Sequence, residues 1–316
     1  MIEGKIFRSS KRVFDCKING EKELISATAL REVIKKAHPV VGDNVSLRKT
    51  ENSADWEIIE ILPRENEVFR RIVRTNKKKV IASNTDVILI VTSVSQPAYK
   101  PFLLDRYLTR AVQWDIPAAI VFNKMDQFDD SFEFDFEIEK FKSLGVTTFQ
   151  LNSTNPDDPR FKDDFEKLKK LLEDKTAICL GQSGVGKSKL ISALSGGTVE
   201  LLSSRLAKKA NKGAHTTTWA ELVDCEKFLM VDSPGVRSLS VQDISIDELP
   251  MLFPDLRPLF AKCKFRDCKH EDNSKGCFFH SLDEEVLEDK ISLNRIYSYL
   301  KLKEEIEEIP EWQKEN

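Results

Sequence analysis

Gly181-Gln182-Ser183-Gly184-Val185-Gly186-Lys187-Ser188 fills every fixed position of G-x-x-x-x-G-K-S. An apolar run, AICLG, leads into it, and SKLISALS with helical character follows, beginning with Ser188 and Lys189. That strand–loop–helix context is the one in which the motif cradles phosphates. Its glycines let backbone N–H groups wrap the anion, and the helix start adds a positive dipole end. Lys187 is placed to reach the β- and γ-phosphates, and the Ser188 hydroxyl to ligate Mg²⁺. A Gly-rich turn without chemical consequence is the bland alternative, and the full match in context weighs against it.

The phosphate loop does not choose the base. Asn123-Lys124-Met125-Asp126, at the end of the apolar run PAAIVF, does. An Asp carboxylate there accepts from the N1–H and 2-amino groups of guanine, a donor pair that adenine lacks. Asn123 is expected to brace the loop and Lys124 to lie along the base. Alone, N-K-x-D is more often a surface turn; beside a phosphate loop it points to GTP and GDP. Asp232-Ser233-Pro234-Gly235 supplies D-x-x-G at another strand end. There Asp232 would hold Mg²⁺ through water and the Gly235 amide would sense the γ-phosphate. The run Gly213-Ala214-His215-Thr216-Thr217-Thr218 lies between, where a switch threonine for Mg²⁺ belongs. Thr217 is the central candidate, with Thr216 and Thr218 open. Ser153, after VTTFQLN, is a candidate for the remaining guanine-side loop.

Segments of strand and helix character alternate from Asp86 to Asp232, which predicts a mostly parallel sheet with helices on both faces. Ordinary GTPases run phosphate loop, switch threonine, D-x-x-G, N-K-x-D. Here residues 123–126 precede residues 181–188, so the expected G domain is circularly permuted. Loops gathered at the carboxyl edge of one sheet tolerate such a cut. The position after D-x-x-G, often a water-orienting Gln, is Val236, which cannot hydrogen-bond through its side chain. His215 is the candidate to position the water; an ordinary surface-loop histidine is the other reading. With neither a Gln nor an arginine finger evident, weak intrinsic turnover is expected.

Residues 1–66 read as short β segments separated by turns, the pattern of a small barrel, and residues 67–245 as the G domain. Residues 246–316 read as a helical module around Cys263, Cys268, His270 and Cys277. Three thiols and an imidazole within fifteen residues describe a closed structural Zn²⁺ site, with His280 superfluous. Cys16, Cys179 and Cys225 are solitary and read as small core residues. The 316-residue chain carries a net charge of -3, yet its first 80 residues hold 18 Lys/Arg against 12 Asp/Glu. Val68–Ile81 has six basic residues and no acidic one, Arg205, Lys208, Lys209 and Lys212 form another basic run, and five basic residues surround the Cys/His cluster. A polyanion partner and a solvated charged face both fit such runs. No apolar run reaches membrane length and the N-terminus has no signal-peptide core, so a cytoplasmic protein off the membrane is expected.

With these motifs in this order, the chain resembles the RsgA (YjeQ/YloQ) family of bacterial ribosome-assembly GTPases over nearly its whole length. PVVGDNV (39–45) and ILPRENEVFRR (61–71) look like the family's N-terminal OB-fold barrel and its exit. LLDRYLTRA (103–111), NKMD, GQSGVGKS, the threonine run and DSPG look like its permuted G domain. CKFRDCKH with the following GC looks like its zinc motif, and carries over Cys263, Cys268, His270 and Cys277 as ligands. The resemblance implies GTP hydrolysis stimulated by the small (30S) ribosomal subunit and a role in late maturation of its 16S rRNA region; the protein is expected to act as a monomer. Two competing readings are a signalling switch acting on a protein effector without RNA, and an RNA-binding protein whose nucleotide pocket has decayed. Intact Lys187, Ser188, Asp126 and Asp232 speak against decay.

Overall fold

A computed structural model describes residues 1–10, 12–50, 55–72, 77–197, 220–232, 241 and 243–308, with Asp232 described for its backbone only. The first five strands are β1 (Ile2–Ser9), β2 (Val13–Ile18), β3 (Leu24–Ala29), β4 (Asn44–Lys49) and β5 (Trp56–Ile61), with helix α1 (Arg31–Lys36) after β3. They pair in the order β1-β2-β3-β5-β4, and β4 closes on β1. This is a five-stranded barrel of OB type. Alternate residues point inwards, so Ile6, Phe14, Cys16, Ala27, Val45, Leu47 and Ile58 fill its core with Val33 of α1. Strand β3 and helix α1 are silent in the sequence pattern, because LISATA carries only small or polar residues after its two apolar ones and does not alternate clearly.

A separate ribbon follows, β6 (Glu67–Ile72) against β7 (Lys77–Ser83). In sequence this stretch reads as a charge run. In the fold, Val68, Phe69 and Ala82 turn inwards onto the same core as the G-domain helices, while Arg70, Lys77 and Lys79 face solvent. The exit from the barrel is held by Arg64, whose guanidinium donates to buried Asp43 at 2.7 and 2.9 Å and to Glu67 at 2.7 Å. Asp43 also accepts from Val40 N (2.8 Å) and Ser83 Oγ (2.6 Å), so this buried carboxylate has several partners.

The G domain contains β8 (Val87–Ser93), α2 (Pro101–Trp114), β9 (Ala118–Asn123), α3 (Phe134–Ser143), β10 (Thr147–Leu151), α4 (Lys162–Leu172), β11 (Thr176–Leu180), α5 (Lys187–Leu194), β12 (Glu221–Asp224) and β13 (Leu229–Asp232). Its sheet runs β10-β9-β8-β11-β13-β12, parallel except for β12. All seven residues of β8 are buried, as expected of a central strand covered on both faces. Ile88 and Ile90 pack with α2 and α3, whereas Val87, Leu89 and Val91 pack with α4 and α5. In α4 the inward residues are Phe165, Leu168 and Leu172, spaced for one helix face. Burying each stabilises by about 1.5–3 kcal/mol before entropy is counted. β12 meets β1 of the barrel, where Arg8 Nε donates to Glu221 at 2.7 Å and Lys17 pairs with Asp224 at 2.7 Å.

The last described part has its own core, built from Ile244, Leu249, Leu252, Phe253, Leu256, Cys277, Phe279 and the C-terminal helix Leu287–Glu307. Among the described residues, no helix is long and apolar enough to cross a membrane.

Candidate nucleotide site and metal cluster

Five parallel strands end along one edge of the G-domain sheet, and register places Ser93 beside Asn123 and Asn123 beside Leu151. Loops from distant parts of the chain therefore meet there. The phosphate loop leaves β11 with Gly181 at φ 147° and enters α5 with Gly186 at φ 101°. A Cβ on Gly181 would lie 2.2 Å from the Val91 carbonyl oxygen, and one on Gly186 would lie 2.3 Å from Asn123 Nδ2. Both positions need glycine for space as well as for conformation.

Asn123 is 1% exposed and joins three loops. Its Nδ2 donates to the Val185 carbonyl at 2.8 Å, and its Oδ1 accepts from Ser153 N (3.1 Å) and Ser153 Oγ (2.7 Å). Lys124, with φ 63°, donates from Nζ to the Gly184 carbonyl (2.9 Å) and the Gln96 carbonyl (2.5 Å). Met125 and Asp126 lie in the one-turn helix Met125–Gln127 that follows, and Asp126 is exposed. Behind it, Tyr99 stacks on Phe132 at 4.1 Å, and Phe128 meets Phe132 at 5.4 Å, which stiffens the support of the base-side loop.

Lys187 Nζ donates to the carbonyls of Gly181 (2.6 Å) and Gln182 (2.8 Å), so its ammonium lies inside the curl of the loop. Ser183, Ser188 and Lys189 are exposed at the loop and the first turn of α5. Of the remaining residues named from sequence, Asp232 ends β13, one step past the Ile178–Val231 pair. His215, the threonines 216–218 (Thr217 among them), Gly235 and Val236 lie outside the described residues.

Three base-side residues carry no signal of their own in the sequence. Asn152 Oδ1 accepts from Thr154 N and Asn155 N, and Asp158 accepts from Arg160 Nη2 (2.7 Å), Nε (3.0 Å) and backbone N (3.1 Å). These Arg160 hydrogen bonds hold the Asp158 carboxyl down at about 2. Asp158 in turn raises the Arg160 guanidinium, which also feels the Asp126 carboxylate. In sequence they are ordinary turn residues, and only the fold brings Arg160 within range of Asp126.

In the C-terminal part, the ligand atoms of Cys263, Cys268, His270 and Cys277 all lie within 4.8 Å of one another. Cys263 Sγ and Cys277 Sγ are 3.5 and 3.8 Å from His270 Nδ1. Ligands about 2.3 Å from a tetrahedral Zn²⁺ stand about 3.8 Å apart, so the cluster fits a metal ion. Burial, with Cys268 and Cys263 alongside, pushes the Cys277 thiol up to about 11, and burial lowers His270. A divalent cation at the centre reverses that cost by favouring thiolates and neutral imidazole. The Phe278 amide donates to Cys263 Sγ at 3.4 Å, and Phe260 stacks on the His270 ring at 4.5 Å. His280 turns away, with Nε2 3.2 Å from the Glu271 carbonyl. Cys16 and Cys225 are buried, with thiols pushed up to about 12 by burial, and belong to the cores.

Residues 61–242 match the family model described as RsgA GTPase. The chain belongs to the RsgA GTPase family. It is a GTPase with a circularly permuted G domain. Proteins named small ribosomal subunit biogenesis GTPase RsgA are similar along most of its length. That of Flavobacterium psychrophilum is 30% identical over 92% of this chain and 86% of its own. That of Shewanella oneidensis is 34% identical over 82% of this chain and 72% of its own. The crystal structure of YloQ, titled a circularly permuted GTPase, aligns at TM-score 0.69 and 26% identity, covering 98% of this chain and 96% of YloQ. YjeQ from Thermotoga maritima shares the fold at TM-score 0.71 and 22% identity, covering 98% of this chain and 99% of its own.

Proposed function

We propose that this RsgA-family GTPase binds GTP and GDP and acts in late maturation of the small (30S) ribosomal subunit. On this reading the GTP form docks on the immature subunit as a monomer, contacts its 16S rRNA, and leaves after hydrolysis. The observation that carries it is the junction of two loops some sixty residues apart, Asn123 to Val185 and Lys124 to Gly184. That junction supports a single guanine nucleotide lying across both loops.

Asp126 selects guanine, Lys124 flanks the base, and Asn123 and Ser153 fix the distance between base and phosphate loops. Gly181 to Lys189 wrap the phosphates, with Lys187 exchanging its two carbonyl partners for phosphate oxygens. Ser188, Thr217 and Asp232 would hold Mg²⁺, the Gly235 amide reads the γ-phosphate, and His215 orients the attacking water. The Cys/His cluster takes Zn²⁺ as a structural ion with no open position. RNA contact is supported by the basic ribbon β6–β7, with Arg70, Lys77 and Lys79 exposed, and by the basic surroundings of the cluster. The relatives' names, which tie them to ribosome biogenesis, support work in the cytoplasm.

GTP turnover measured with and without purified small subunits tests the proposal. Weak intrinsic hydrolysis that rises strongly with subunits is the expected result. Turnover indifferent to subunits, with salt-independent association, would instead favour a switch that acts on a protein effector.

A further inference from the structure

We infer that Phe265, at the tip of the Cys/His loop, is a stacking platform for an unpaired nucleobase, flanked by cations that hold the adjoining phosphates. The inference rests on the proposed contact with ribosomal RNA and names the residue and contact chemistry at one of its faces.

Phe265 is 50% exposed, although it lies between the ligands Cys263 and Cys268. The other rings of the loop are in use: Phe260 stacks on His270, Phe279 is buried, and Phe278 lies under Lys262 Nζ at 4.7 Å. Among the described residues Phe265 meets only Lys264 in this way, with Nζ 5.6 Å from its centroid, and half of its surface stays open to solvent. Lys262, Lys264, Arg266, Lys269 and Lys275, near it in the chain, are exposed, and among the described residues none is ion-paired with a carboxylate.

The backbone that carries the ring is also held in place. Cys268 N donates to the Phe265 carbonyl at 3.3 Å, Lys264 N donates to the Gly276 carbonyl at 3.0 Å, and the Cys/His cluster gathers residues from both ends of the loop. An exposed aromatic on a hydrogen-bonded loop, among cations without carboxylate partners, suits single-stranded RNA, where the base stacks and the cations meet the backbone. A duplex hides its base faces, and a partner protein's apolar pocket would not call for cations on both sides of Phe265 in the chain.

The test uses the full-length protein with a non-hydrolysable GTP analogue, and titrates purified small subunits and, separately, a short single-stranded RNA across a salt series. Phe265→Leu, Phe265→Ala and Phe265→Trp are compared, with metal content checked for each. Stacking requires Phe265→Trp to bind like the parent. Phe265→Leu and Phe265→Ala should weaken by roughly tenfold or more. Their salt slopes should stay unchanged, because the same phosphates are still neutralised. Lys264→Ala/Arg266→Ala should lower the slope by about 0.7 for each phosphate that is no longer neutralised. Leu binding as well as Phe overturns the inference in favour of an apolar protein contact, and three variants all equal to the parent overturn it outright. If the parent fails to bind subunits, the functional proposal falls, while the RNA arm still decides the stacking. If the parent binds neither, both fall.

Discussion

Asn123 uses both ends of its amide, which makes it the residue whose loss can be read most directly. Replacing it by Ala leaves the Val185 carbonyl and the Ser153 pair without their buried partner, at a cost of about 1–3 kcal/mol. GTP and GDP affinity should fall together in titrations of Asn123→Ala, because both nucleotides span the same two loops. Equal binding by variant and parent would detach Asn123 from the site. Lys187→Ala should abolish tight GTP binding, and Asp126→Asn should relax guanine preference, both read by nucleotide competition. Retained parental affinity in the first, or unchanged selectivity in the second, would count against these assignments. Gly181→Ala combines a φ of 147° with a Cβ 2.2 Å from the Val91 carbonyl, so the phosphate loop should be disrupted even though no side chain is lost.

Among the elements, α2 ties the parts together. Its Asp105 accepts from Arg295 Nη1 at 2.7 Å and from Ser298 Oγ at 2.6 Å on the C-terminal helix. Its Arg110 pairs with Asp243, whose other oxygen accepts from the Arg71 amide of β6 at 2.6 Å. Trp114 Nε1 donates to the Phe69 carbonyl of the same strand at 2.9 Å. Burial works against the Arg295 charge, but Asp105 and Asp255 outweigh it and raise the guanidinium further. Removing one partner of so buried a pair costs about 3–5 kcal/mol. Asp105→Ala should therefore loosen the C-terminal helix first, seen as faster amide exchange in residues 287–307 than in β8. Uniform protection across both would show that the helix is held by its apolar face alone. The DRYLTR string that carries these contacts reads in sequence as one amphipathic helix; its ion-pair partners Glu305, Asp243 and Arg295 lie more than 130 residues away, beyond the reach of any local pattern.

At the scale of the whole molecule, two kinds of core stand side by side. The G domain and barrel bury strands and helices by apolar patterning, whereas the C-terminal module gathers a smaller core around a Cys/His cluster that could hold a metal ion. Structural Zn²⁺ contributes about 10–16 kcal/mol in comparable small sites. Removing the metal with a strong chelator should therefore unfold this module while the phosphate loop keeps its GTP affinity. Metal analysis, near-ultraviolet circular dichroism and nucleotide titration on one sample test this. A module that stays folded without metal would reduce the ion to an accessory.

Sequence alone determined the nucleotide chemistry, because each loop is a short string whose side chains and glycines are set by local geometry: GQSGVGKS, NKMD and the order in which they occur. It also determined the strand–helix alternation, since β8, β9 and β11 are apolar runs and α2 and α4 carry helical periods. Only the tertiary structure decided the closure of the barrel through β3, the folding of a basic stretch into the ribbon β6–β7, and the approach of Arg160 to Asp126. Those depend on pairing and on polar contacts between residues far apart in the chain. Hydrophobic periodicity records which face of an element is buried, but not what it is buried against.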